Sequence, residues 1–187
     1  MINMFYEKAE KFVVDSFTKI GLEYQIPHFK QTVYWVEQLT DASEALRIAA
    51  VSHDIDRAFT ATNHAEREKK GFDFSNISFL RPHEERCAKV IGEFLEKEGA
   101  QEELIEKVKE LVSRHEEGGT KGQNILKDAD SISFFENNIN HFLEVKVKQL
   151  GKAKIKQKFE WMYNRISSDK AKDICHSWYE DALKRLE

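Results

Sequence analysis

Apolar residues recur at three- and four-residue steps along almost the whole chain, and little interrupts them: 187 residues contain only 2 prolines and 8 glycines. That spacing gathers apolar side chains on one side of a helix, and no alternating run of convincing length competes as a strand. Phe12, Val13, Phe17 and Ile20 form one stripe over residues 5–20, closed by Gly21. Pro27 suits the first turn of a second helix carrying Val33, Tyr34, Val36 and Leu39. Asp41 or Ser43 can cap a third, from Ala45 to Val51. Residues 57–81 are the least regular, with a short charged helical piece, Ala65–Lys70. Helix is expected to restart at Pro82 and run to Gly99, with another over about 101–115. Glu116–Gly122 is the clearest turn, followed by a Phe-rich helix over 132–143. Two more helices span roughly 144–165 and 169–186, the last capped by Ser168 or Asp169. No repeat and no domain boundary is visible, so the expected fold is all-α, a single helical domain over residues 1–187.

Composition narrows the function classes. Hydrophobic residues make up 41% and charged ones 33%, which is globular rather than disordered. A net charge of −4 and a pI near 6.0 disfavour a nucleic-acid polymer or a membrane surface as partner, since both need clustered basic charge. The first eight residues, Met1 to Lys8, lack a basic region followed by an apolar run, so no signal peptide is expected. No apolar run approaches the roughly 18 residues of a membrane span. Cys87 and Cys175 are far apart and form no CxxC, which suits free thiols in a cytoplasmic protein. Neither has the histidine-base setting of a nucleophile. Trp161 and Trp178, read as exposed aromatics, leave room for a homo-oligomer.

Three short words carry the chemistry. His53-Asp54 falls where the apolar helix Ala49-Ala50-Val51-Ser52 runs into irregular sequence. Neighbours on a continuing helix point about 100° apart, but a helix end can re-aim both towards one ion. Asp54, leaving an apolar run, is costly to bury unless a partner such as a metal meets it. His28 follows Pro27, and Asp128-Ala129-Asp130 follows Ile125-Leu126-Lys127. Taken singly, each word also reads as a helix cap or a solvated turn.

Taken in order, they resemble the HD superfamily of metal-dependent phosphohydrolases, whose pattern is H…HD…D. Ala49-Ala50-Val51-Ser52-His53-Asp54-Ile55-Asp56-Arg57 is similar to that family's apolar-apolar-x-HDI-x-(Lys/Arg) word, and Asp128-Ala129-Asp130-Ser131-Ile132 to its DADxL word. The resemblance runs from His28 to about Phe135, and the helices over 144–186 look like those closing the bundle in small HD hydrolases. It implies a metal site on His28, His53, Asp54 and Asp130, with Asp128 behind the ligands. His83, just after Pro82, and His115, just before the glycine loop, match the two-metal variant H…HD…H…H…D, in which Asp54 bridges the ions. The alternative leaves both as helix-terminal residues. His64, His141 and His176 read as surface or packing residues. The chain departs from two branches: Arg57-Ala58 stand where guanosine-tetraphosphate hydrolases have Glu-Asp, and no GYP word follows. Ser131 replaces a basic residue common after the last ligand.

The implied activity is hydrolysis of a small phosphorylated metabolite, foremost a nucleotide, by water activated on one or two divalent ions (Mn, Fe, Ni, Co, Zn or Mg). Asp54, Arg57 and Lys121 are the expected catalytic residues, and Arg81 and Lys127 the expected substrate-binding ones. Lys121 stands out because backbone N–H groups of Gly118-Gly119-Thr120-Lys121-Gly122 can cradle a phosphate. The irregular 57–81 stretch is the candidate lid. A catalytically silent HD domain that binds a nucleotide or a protein partner is the rival reading.

Overall fold

A computed structural model describes residues 4–60 and 76–187. Every element among them is helical, so the chain is all-α. In order these are α1 (Met4–Lys19), α2 (Ile26–Leu39), α3 (Glu44–Ser52), α4 (Ile77–Lys97), α5 (Glu102–Val112), α6 (Lys121–Asn137), α7 (Lys152–Asn164) and α8 (Asp169–Leu186). A 3-10 turn at Glu23–Gln25 leads into α2, and short helical pieces with a π turn at Phe142–Lys146 join α6 to α7. His64, the Ala65–Lys70 piece and most of the expected lid lie outside the described residues. No helix among the described residues is long and apolar enough to cross a membrane.

The caps follow the sequence closely. Ser43, not Asp41, caps α3 by accepting the Leu46 N–H, and Ser168 caps α8 by accepting that of Ala171. Glu44 reaches across to accept the Phe5 and Tyr6 N–H groups, which tethers the start of α1 to that of α3.

Four boundaries differ from expectation. α4 begins at Ile77, capped by Asn76, so Pro82 lies inside it. A proline in the second turn forfeits a single early hydrogen bond, which the long helix tolerates. α5 ends at Val112, and residues 113–117 turn out of it. α6 begins at Lys121, because Thr120 and Gln123 form a capping box there. The Asp128-Ala129-Asp130 word therefore sits inside a long helix. Gly151, at φ 82°, breaks the chain before α7, a backbone state that costs glycine little.

α6 is the axis of the molecule: every residue from Leu126 to Phe135 is buried, as befits a helix covered on all sides. Its first half, through Leu126 and Ala129, belongs to a core built with α1–α5 around Phe17, Phe29, Ile48, Ile91 and Leu111. Its second half, through Ile132, Phe134 and Phe135, belongs to a core shared with α7 and α8 around Ile155, Phe159 and Met162. Trp35 and Leu39 of α2 pack against both. Each fully buried Phe or Ile contributes roughly 1.5–3 kcal/mol by leaving water. Asp130 lies at the changeover between the two cores. The tryptophans are not the exposed pair expected: Trp178 is half-buried edge-on against Trp35, and Trp161 is covered by the Lys158 and Arg165 cations.

Candidate metal centre

Five helices converge on one buried cluster. His28 occupies the first turn of α2, His53 is the residue on which α3 ends, and Asp54 follows in the turn. His83 comes from α4, His115 from the turn after α5, and Asp130 from the middle of α6. The side chains fall into two groups, His28–His53–Asp130 and Asp54–His83–His115, each with ligand atoms within 4.8 Å of one another. All six residues are buried.

The imidazole orientations are locked from behind. His53 Nδ1 meets the Ala50 carbonyl at 2.8 Å, and His115 Nδ1 meets the Val112 carbonyl at 2.8 Å, so each Nδ1 carries the proton. The Ser133 hydroxyl donates to the His28 carbonyl and faces His28 Nδ1 at 2.9 Å, which leaves its oxygen to accept from that nitrogen. His83 Nδ1 faces Asp56 Oδ2 at 3.1 Å, and Arg86 clamps the same carboxylate. Four Nε2 lone pairs are thereby turned inward, the arrangement that outer partners impose on metal-ligating histidines.

Those lone pairs point at carboxylates. His28 Nε2 and His53 Nε2 lie 3.1 and 3.4 Å from Asp130 Oδ1, and His83 Nε2 lies 2.8 Å from Asp54 Oδ1. Asp54 faces both groups, with Oδ2 at 3.8 Å from His53 Nε2 and Oδ1 at 3.9 Å from His115 Nε2. Acceptor facing acceptor is repulsive unless a proton or a cation lies between. His53 Nε2 and His115 Nε2 are buried with no hydrogen-bond partner at all. Nitrogen and carboxylate donors gathered this way could hold a metal ion, and the residues present fit one.

Electrostatics keep the carboxylates ionised and draw His53 and His83 towards the charged ring, against the burial that opposes it. Burial pushes the Asp54 carboxyl up, but Arg57, at 3.0 Å, and His53 overrule it and hold it well below the usual carboxylate range. Burial likewise opposes ionisation of Asp130, and Arg165 with His53 reverses the outcome. His115 is driven by burial down to about 4, so it stays neutral and its lone pair remains free. His53 moves the other way: burial opposes its charge, but Asp130 outweighs it. Asp56 is held at about 2, because hydrogen bonds from His83 and Arg86 outweigh burial.

The expected site residues divide sharply. His28, His53, Asp54, His83, His115, Asp130 and Arg57 come together. Asp128 turns away from the cluster and accepts the N–H groups of Ser167 and Ser168. Lys121 is exposed at the first residue of α6, about 13 Å along the helix axis from Asp130 at 1.5 Å per residue. The glycine loop is no phosphate cradle either: Gly118 N donates to the Arg114 carbonyl, Gly119 N to Asn124 and Thr120 N to Gln123. Lys127 donates to the Glu117 carbonyl instead of entering the cluster, and Arg81 pairs at the surface with Glu117. Cys87 does have a histidine, with His83 at 3.8 Å, but the thiol is wholly buried and burial pushes its pKa up.

Sequence reasoning missed Asp56, Arg86, Glu116, Lys158 and Arg165. Arg165 leaves the end of α7 to pair with Glu116 and Asp130, and its Nε donates to Ser131 Oγ at 2.9 Å. The basic charge absent at position 131 thus arrives from another helix. Burial lowers Lys158 to about 8 beside the same carboxylates. No linear spacing signals a role for these residues, although Asp56 lay within the His53-Asp54 word and Glu116 opened the turn already singled out.

No curated protein and no solved structure matches the chain. A family model does match, over residues 13–186, and by that match the chain belongs to the family described as a domain of unknown function, DUF4202.

Proposed function

We propose that this chain is a metal-dependent phosphohydrolase of the HD type, acting on a small phosphorylated metabolite, with nucleotides the first class to test. The observation that carries the reading is the set of four buried imidazoles whose Nδ1 atoms are spent and whose Nε2 atoms turn towards Asp54 and Asp130. His28, His53 and Asp130 would hold one ion, and Asp54, His83 and His115 a second. The mixed donor set suits Mn, Fe, Co, Ni, Zn or Mg. When bound, such an ion lowers the pKa of a coordinated water and sets positive charge against phosphoryl oxygens.

The chain's own residues supply binding and orientation. Arg57 pairs with Asp54 and keeps 31% of its side chain exposed, so its guanidinium can meet an incoming phosphate in the fork geometry that suits one. Asp54, Asp56, Glu116 and Asp130 already stand against Arg57, Arg86 and Arg165, so a divalent ion adds net positive charge. A buried positive excess favours an anionic substrate. The locked Nδ1 protons keep the rings from turning during a catalytic cycle.

Elemental analysis of the purified chain, with a screen of phosphorylated metabolites across these metals, tests the reading. Stoichiometric metal and phosphate release that is lost in a folded Asp54→Ala variant are expected. A chain without stoichiometric metal that stays inactive after Mn, Co, Ni or Mg addition refutes it, and metal without hydrolysis of any metabolite favours the silent binding domain.

A further inference from the structure

Arg165 reaches two carboxylates from two different elements. Nη1 donates to Glu116 Oε2 in the turn after α5, and Nη2 donates to Asp130 Oδ2 in α6. Each carboxylate therefore spends one oxygen on the guanidinium and keeps one. The spare oxygen of Asp130 is the one facing His28 and His53. The spare oxygen of Glu116, Oε1, lies 3.9 Å from His115 Nε2, a buried atom with no hydrogen-bond partner. A carboxylate serving only as counter-ion to an arginine favours the parallel two-bond pairing, with both oxygens engaged. Glu116 offers one oxygen to Arg165, as Asp130 does, and turns the other towards a histidine.

The main chain holds Glu116 in that place. Its N–H donates to Glu84 Oε1 at 2.7 Å, and Glu84 is wholly buried beside His83 on α4. The donor sets then become alike. With Asp54 facing both groups, the first has His28, His53, Asp130 and Asp54. Adding Glu116 gives the second the same composition: two imidazoles, His83 and His115, and two carboxylates.

We propose that Glu116 is a metal ligand of the Asp54–His83–His115 group, and that Arg165 is the positioning residue that aims Glu116 and Asp130 at the two ions. The ligand is a divalent cation, and the added carboxylate oxygen shifts the second group towards harder ions such as Mn²⁺. This rests on the metal-binding reading above.

Mn²⁺ titration of the metal-stripped full chain tests it, with circular dichroism confirming that each variant is folded. The parent should bind two ions. Glu116→Gln, which keeps shape and removes charge, should weaken one of the two by about tenfold or more and leave the other unchanged. Arg165→Gln should weaken both, by about 10–100-fold, and Arg165→Lys should recover part of that loss. A purely structural Arg165 would lower thermal stability without moving either affinity. Should Glu116→Gln fail to fold, Glu116→Asp keeps the charge but retracts the oxygen, and the same selective loss is expected. A parent that binds no Mn²⁺ or any other metal refutes the metal reading itself. A parent that binds two ions, with both affinities unchanged in the Glu116 variants, overturns this proposal alone, and so does a parent that binds only one.

Discussion

Replacing Asp128 should damage the fold and spare the metal count, while replacing Asp130 should cost an ion. The two residues stand two positions apart on α6, about 200° around the helix, and so face nearly opposite sides. Asp128 is 3% exposed and accepts the Ser167 N–H at 2.6 Å, the Ser168 N–H at 3.0 Å and the Ser168 hydroxyl at 2.7 Å. It thereby holds the corner between α7 and α8. In Asp128→Ala the hydroxyl can rotate to another acceptor, but the two N–H groups cannot, and each costs about 1–3 kcal/mol when left unpartnered. The expected loss is about 2–6 kcal/mol, a large share of the roughly 5–15 kcal/mol that holds a domain folded. Asp128→Asn keeps one acceptor oxygen and turns an NH₂ towards the remaining donors, so about 1–3 kcal/mol should go. Urea unfolding at unchanged m-value reads the stability, and Mn²⁺ stoichiometry reads the site. Asp128→Asn is expected to bind as many ions as the parent. Asp130→Asn is expected to lose the His28–His53 ion. Stability within about 0.5 kcal/mol of the parent for Asp128→Ala, or a lost ion in Asp128→Asn, would refute this division of labour.

Two further outcomes follow from Ser133 and Cys175. Ser133→Ala removes the acceptor for His28 Nδ1, frees that ring to change tautomer, and should weaken metal binding about 10–100-fold while the His83 side keeps its affinity; equal affinity at both would show that Ser133 does not set the tautomer. Burial raises the Cys175 thiol, in the core shared by α6, α7 and α8, from 9.0 to about 12. A folded pKa above the unfolded one means that this stability is whole below about pH 9 and falls as pH rises towards 12, by about 1.4 kcal/mol per unit at most. Unfolding curves between pH 9 and 10.5 should lose that slope in Cys175→Ala, and an unchanged slope would place its cause elsewhere.

How much of this was legible depended on whether the deciding interaction is local. Ser43, Ser168 and Gly21 act within one turn of their own helix, and spacing located Gly21 and narrowed each of the two caps to a pair of neighbours, Asp41 or Ser43 and Ser168 or Asp169. Pro82 misled because its usual place is a first turn, whereas Asn76, six residues earlier, had already capped α4. The glycine loop misled for a related reason. Its N–H groups were legible as a set of donors, but Gln123, Asn124 and the Arg114 carbonyl, which take them, are settled only once the chain has turned. Lys121 was drawn in by the glycine loop and Lys127 by nearness in sequence to the proposed ligands, although helix geometry carries the first about 13 Å from Asp130 and turns the second to the Glu117 carbonyl. Arg165 and Glu116 were illegible on opposite grounds: their roles rest on contacts between α7, α6 and the turn after α5, and no periodicity encodes which arginine of a charged helix will face inward.

The histidines show where that boundary runs. A helix leaves its last carbonyls without N–H partners. His53 stands just after the last residue of α3 and takes the carbonyl of Ala50; His115 stands three residues after Val112, the last of α5, and takes its carbonyl. Both rings use an acceptor that the helix end itself frees, so a histidine directly beyond an apolar helix carries its own means of orientation. His28 lies in the opening turn of α2, where free N–H groups, not carbonyls, are to hand, and His83 lies seven residues into α4, where the helix spends its own carbonyls on its own N–H groups. They must borrow acceptors from other elements, Ser133 on α6 and Asp56 in the turn after α3. The pair at helix ends is therefore fixed by local sequence, and the other pair is fixed only when the bundle closes. Mutations at Ser133 or Asp56 should accordingly be felt through one imidazole each, and a helix-breaking change at the end of α3 or α5 should disorient a ligand without touching it.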